Sequence, residues 1–231
     1  MRKLAALASI ALAAAVLLGC AGKPPVISRV LARALYIEDL STGSFSEALS
    51  VFLVVSDPDG IEDLSAFYVI NDDAELFWKV ESSAWIRSMA EGETWIGSSS
   101  LSMPGSDSLP TGNYRVNLQD MAGGTAEETV TLPERSVSAA QAAYPAASIK
   151  DGAITVTGPY ENTEIWVYGK DGRYVASYPA GKKAALLDVK YISAASPALA
   201  QGFTFRVYAY VEKGGFGVLA GPYASENAQA R

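Results

Sequence analysis

The chain has 231 residues, of which 18 are Lys or Arg and 25 Asp or Glu, giving a formal charge of −7. It contains no histidine and one cysteine, which excludes Ser-His-Asp and Cys-His nucleophilic sites, His-ligated zinc or copper, and any intrachain disulfide. The acidic balance argues against nucleic acid as a partner, because a phosphate backbone selects clustered Lys and Arg.

Arg2 and Lys3 open the chain and an apolar run follows from Leu4 to Leu18, ending in Leu17-Leu18-Gly19-Cys20. That run is 15 residues, short of the ~20 that a spanning helix needs. A basic start, an apolar middle and a small residue before a cysteine resemble the lipobox of bacterial lipoproteins. The resemblance implies cleavage after Gly19, with Cys20 as the mature N-terminus carrying a thioether-linked diacylglyceryl group and an N-acyl chain. Several acyl chains hold a protein stably on a membrane where one does not. Losing Arg2 and Lys3 would take the charge from −7 to −9. Ala21 occupies the second mature position. There the Asp resembling an inner-membrane retention signal is missing, so an outer-membrane location in the cell envelope is expected over an inner-membrane one.

Residues 20–25 form a lipidated Gly/Pro tether, and the first folded unit is expected over 26–133. Val26 to Val30 starts an edge strand. Leu49, Val51, Leu53 and Val55 then alternate through a second strand with an apolar centre on both faces. It ends at Asp57-Pro58-Asp59-Gly60, a turn by its Pro and Gly. Strands follow over Ala66 to Ile70 and Glu75 to Val80, then at Trp85-Ile86 and Thr94 to Ile96 around the Glu91-Gly92 turn. Leu109-Pro110-Thr111-Gly112-Asn113-Tyr114-Arg115-Val116 and the Asp120 to Gly124 turn lead into the last strand. Here the chain resembles immunoglobulin-like and fibronectin type III-like domains of bacterial exported proteins. In that resemblance Tyr114 is the corner tyrosine, and Val116 sits where antibody domains carry a cysteine.

Residues 134–147 are alanine-rich and read as a linker with at most one helical turn, over Ser138 to Ala143. A second, smaller sandwich is expected over 148–224, with a tail at 225–231. Asp151-Gly152, Asp171-Gly172 and Lys213-Gly214-Gly215 are its hairpin turns, and Ala184 to Val189 is one of its strands. The expected fold is therefore all-β, two tandem immunoglobulin-like β-sandwich domains behind a cleaved signal peptide at 1–19.

Candidate chemistry is sparse. Asp57, Asp59 and Asp63 match the start of an oxygen-ligand calcium loop but lack the bidentate Glu that closes an EF-hand, so a solvated turn without metal is expected. Asp72-Asp73 and Glu127-Glu128 could be imagined as a glycosidase pair, although adjacent strand residues point to opposite faces. Arg206, Tyr208 and Tyr210 share one face of a strand whose other face carries Phe205 and Val207, which makes them a candidate binding face for a protein or glycan. No cofactor and no enzymatic activity are expected. The role that follows is a non-catalytic binding or structural module held at the membrane through Cys20, with a carbohydrate-binding or enzyme-accessory role as the alternative.

Cys20→Ser removes the only sulfur able to form the thioether. Metabolic labelling with a fatty acid is expected to fall to background in that variant, and continued uptake of label would refute the lipobox reading.

Overall fold

The computed structural model describes residues 22–103, 108–180 and 187–225. The expected signal peptide and Cys20 lie outside them, as do residues 184–186 of the expected 184–189 strand. Within the described residues the chain is all-β, with sandwich-like sheets and one short α-helix. It forms two compact units that interleave in sequence. Among the described residues, the first takes 22–30, Phe52–Gly97 and Asn113–Val130; the second takes Leu31–Val51, Ser98–Gly112 and the chain from Thr131 onward. The expected division fell within 134–147, but the unit boundaries instead run through long strands. The first two strands have 14 and 13 residues, more than twice the usual five or six, so each is long enough to serve a different core at each end.

In the first unit, β1 (Val26–Asp39), β2 (Ser44–Ser56), β6 (Glu93–Ser102) and β5 (Ile86–Ala90) lie in that order in one sheet, each with the residues that belong to this unit. The other sheet has the order β4 (Leu76–Glu81), β3 (Leu64–Asn71), β7 (Gly112–Asp120), β8 (Thr125–Leu132). The alternation of β7 buries Tyr114, Val116 and Leu118 completely, while Leu53, Phe67, Val69 and Ile96 complete the core. Tyr114 stacks on Trp78 with ring centroids 6.4 Å apart, and Phe67 stacks on Trp85. Glu91 and Gly92 both have positive φ, the geometry of a two-residue hairpin, and join β5 to β6. The β3–β7 register slips between Leu64 and Ala66. The Ser65 hydroxyl sits at this bulge and donates toward the carbonyls of Gln119 and Asp120.

The second unit contains β9 (Ala146–Lys150), β10 (Ala153–Thr157), β11 (Thr163–Tyr168), β12 (Tyr174–Pro179), β13 (Leu187–Asp188), α1 (Val189–Ala195), β14 (Thr204–Val211) and β15 (Phe216–Ala224). Its main sheet has the order β12-β11-β14-β15-β1-β2-β6, and a smaller one β13-β10-β9. Ile154 of the small sheet, Ile192 of α1 and Leu199 close over Ile165, Val167, Phe203, Phe205 and Val207, forming one apolar cluster. The strand expected to run to Val189 stops at Asp188. Asp188 caps α1 by accepting the Lys190 N–H, which turns the chain into a helix there. Ser225, expected to begin a tail, is buried, and it exchanges hydrogen bonds with the backbone of Phe203. The strand expected to start at Val26 to Val30 runs on to Asp39, and over Ala34↔Phe216 to Asp39↔Gly221 it pairs parallel with β15 and is internal.

Residues 134–147 are tied into this unit. Ser138 and Gln141 form a capping box on a 3-10 turn at Ala139–Gln141, and β9 starts at Ala146. Arg135 is the fixing point. Its side chain and that of Glu47 are 6% and 8% exposed. The guanidinium donates to a Glu47 carboxylate oxygen (3.2 Å), the Leu109 carbonyl (2.8 Å) and the Tyr36 hydroxyl (3.2 Å). Tyr36 in turn donates to the Val137 carbonyl at 2.6 Å. Burial pushes the Tyr36 phenol up from its ordinary pKa, a rise that the neighbouring Arg135 opposes.

Arg135→Met would leave the Glu47 carboxylate buried and uncompensated. In denaturant titration the loss is expected to be ~3–5 kcal/mol, the range for breaking a buried pair, with Glu47→Gln recovering part of it in the double mutant. A loss of no more than ~1 kcal/mol, typical of an exposed pair, would show that Arg135 does not anchor the segment.

Candidate functional site

The strand parity of β14 places Phe205, Val207 and Ala209 inward at 1% exposure or less, while Arg206, Tyr208 and Tyr210 lie on the other face. Pairing with β11 puts Trp166 opposite Arg206 and Glu164 opposite Tyr208, so both strands contribute to one outward face. There Trp166 and Tyr208 stack with centroids 4.7 Å apart and planes 15° from parallel. Tyr174 meets Trp166 and Tyr168 edge-on. The row continues to Tyr210, which is 36% exposed and carries the Arg33 guanidinium 4.2 Å from its ring centroid.

Two features make room for this row. Gly217 of β15 lies under the Tyr208 ring, and a Cβ there would stand 2.6 Å from that ring and 3.1 Å from Leu35. The β14–β15 register slips between Phe205 and Val207, which frees Arg206 to reach across the sheet. Its guanidinium donates to the Gly221 carbonyl and to Asp39, each at 3.2 Å. Arg206 is therefore engaged in joining β14 and β15 to β1, and Arg33 is the cation that accompanies the tyrosines. Arg33 and Tyr210 are far apart in sequence and carry no shared motif, so periodicity could not pair them. Burial pushes the Tyr168 phenol up to about 12 and raises that of Tyr208, which stays partly offset by Arg33. These hydroxyls remain neutral donors throughout the physiological range.

The carboxylates considered as a catalytic pair meet a cation instead. Arg115 forms a two-pronged contact with Asp72, at 2.7 and 3.0 Å, and reaches Glu127 at 3.0 Å. Its hydrogen bond holds the Asp72 carboxyl below the usual range, in the ionised form that a general acid cannot use. Asp57, Asp59 and Asp63 do come together. One carboxylate oxygen from each lies within 4.8 Å of the others, and the Asp57 side chain accepts the Asp59 N–H at 2.7 Å. Asp120, which sequence periodicity treats as a turn residue, ends β7 at 2% exposure, and its charge acts on Asp63. The Asp63 carboxyl is raised from its ordinary pKa by burial, then by the charges of Asp120, Asp57 and Asp59. Among the described residues no helix is long and apolar enough to cross a membrane.

Removal of a buried ring costs ~3–5 kcal/mol, and that loss is expected for Phe205→Ala in chemical denaturation. The double variant Tyr208→Ala/Tyr210→Ala is expected to lose less, because its rings stand on the half-open face. Equal losses would mean that both faces of β14 are core.

No protein-family model matches the chain, and no curated protein does. Solved structures show distant likeness. The 47-kilodalton lipoprotein Tp47 of Treponema pallidum is 14% identical, with 85% of this chain and 51% of that one covered at a TM-score of 0.32. The BSP domain of a biofilm associated protein is 16% identical, with coverages of 86% and 29% and a TM-score of 0.28. Dimeric latent PorU from Porphyromonas gingivalis is 10% identical, with coverages of 87% and 20% and a TM-score of 0.32. The chain spans about half the length of the first of these and less of the others.

Proposed function

We propose that the chain is a lipid-anchored protein of the cell envelope, held through Cys20 in the outer membrane, that acts as a non-catalytic module binding a protein partner. The observation that carries the binding role is the outward row Trp166, Tyr208 and Tyr210 with Arg33. Tyr, Trp and Arg are the residues on which interface energy concentrates, because they bury large areas at low entropic cost while keeping a polar tip. One ring face of Tyr208 is taken by Trp166 and one of Tyr210 by Arg33. That supports a protein partner over a sugar, which needs open ring faces to stack on. The anchor is supported by the Leu17 to Cys20 pattern, and the outer over the inner membrane by Ala21.

The reading is tested by in-cell photo-crosslinking from position 210, with position 77 in the first unit as control, since Phe77 is also exposed. A discrete adduct expected only from 210, lost with Trp166→Ala, supports it. Adducts of equal yield from both positions, or retention by envelope glycan that Trp166→Ala abolishes, would replace it with a structural or a carbohydrate-binding role.

A further inference from the structure

We propose that Asp57, Asp59, Asp63 and Asp120 of the first unit form a binding site for a calcium ion, which fixes the segment leading from the N-terminal tether. The proposal departs from the solvated turn expected from sequence, and it rests on two independent observations. One is the convergence of three carboxylate oxygens within 4.8 Å. The loop that brings them there is fixed by its own backbone: Gly60 N–H donates to the Asp57 carbonyl and Asp63 N–H to the Gly60 carbonyl.

The other is the state of the buried oxygens. One Asp120 oxygen accepts the Gly124 N–H at 2.7 Å, whereas its second oxygen, Oδ2, is buried without any hydrogen-bond partner. The Asp57 Oδ2 is in the same condition, and these two are the buried side-chain polar atoms without a partner among the described residues. Asp57 belongs to the converging trio, and Asp120 neighbours Asp63 through the backbone. Asp120 pairs with Leu64 across β3 and β7, and Met121 N–H donates to the Asp63 carbonyl at 2.8 Å, so Asp120 and Asp63 are brought side by side. A buried carboxylate oxygen that receives no donor carries its full desolvation cost, and several such charges facing one another add repulsion. Folded proteins relieve this with a cation. Among the described residues none of the four carboxylates pairs with Lys or Arg, although Glu47, Asp72 and Glu127 do.

The donor set selects the ion. Every ligand atom is a carboxylate oxygen, which suits a hard cation, and the chain has no histidine to recruit zinc or copper. Calcium accepts six to eight oxygens in irregular geometry, whereas magnesium requires a near-ideal octahedron and keeps its waters. The site also touches the N-terminal segment. Lys23 N–H donates to Asp59 Oδ2 at 2.6 Å, and a Cβ at Gly22 would lie 3.0 Å from that same oxygen and 3.4 Å from Ala122. A bound ion thus joins the Asp57–Asp63 loop, the β7–β8 turn and residues 22–23. Calcium outside the cell would fix residues 22–23 of the tether against the first folded unit.

The test uses the full chain in detergent, stripped with chelator and then given calcium chloride or magnesium chloride alone. Millimolar calcium is expected to raise the melting temperature clearly more than magnesium does, since a ligand of the folded state stabilises it by mass action. Calorimetric titration is expected to show one site, and Asp120→Asn or Asp59→Asn to weaken calcium by at least about tenfold. Equal shifts with the two salts, or a calcium response unchanged in both Asp variants, would overturn the site.

Discussion

The second unit depends on the buried ion pair of Arg135 and Glu47. A charge that leaves water costs more than its partner returns unless its remaining hydrogen-bonding capacity is met as well. Here the guanidinium reaches Glu47, the Leu109 and Pro133 carbonyls and the Tyr36 hydroxyl, and Glu47 also accepts the Leu109 N–H. The pair therefore fixes four pieces of chain: β1, β2, the approach to β7 and the stretch after β8. Tyr36 extends the arrangement by packing on Phe216, ring centroids 4.5 Å apart, where β15 pairs with β1. This contact joins the first and last strands of the described residues, which lie parallel in one sheet.

The two units treat charge in opposite ways. In the second, the buried ions are paired and hydrogen-bonded, and even the half-buried Arg206 is held by Asp39 and the Gly221 carbonyl. In the first, Arg115 neutralises Asp72 and Glu127 at the surface, whereas Asp57, Asp59 and Asp63 converge, and one buried oxygen each of Asp57 and Asp120 is unsatisfied. A structure that meets the needs of its charges elsewhere makes that exception informative. Glycine at 124 fits the same account, since a side chain there would run into the Asp120 carboxylate.

Much of the fold was legible in the sequence because its signals are local. Glu91-Gly92 and Asp151-Gly152 adopt the positive φ that a two-residue hairpin requires, and the alternation through Phe205, Val207 and Ala209 gave the buried face of β14 directly. The apolar centre of β2, with Leu53, Val54 and Val55 all buried, likewise follows from its composition. The alanine-rich stretch after Pro133 misled for an equally physical reason. Its order comes from Arg135 and the Ser138 capping box, polar contacts that hydrophobic periodicity does not register.

By itself, the sequence determined the all-β class, the turns and the inward face of each clear strand, since period-two patterning and turn chemistry depend on neighbours a few residues apart. The anchor proposed at Cys20 rests on linear chemistry alone. Only the tertiary structure decided that Arg33 caps Tyr210, that β15 runs parallel to β1, and that Asp120 lies beside Asp63. Each of these joins residues tens to nearly two hundred positions apart. Their proximity is set by strand order and register, which many sequences with the same local pattern could realise differently.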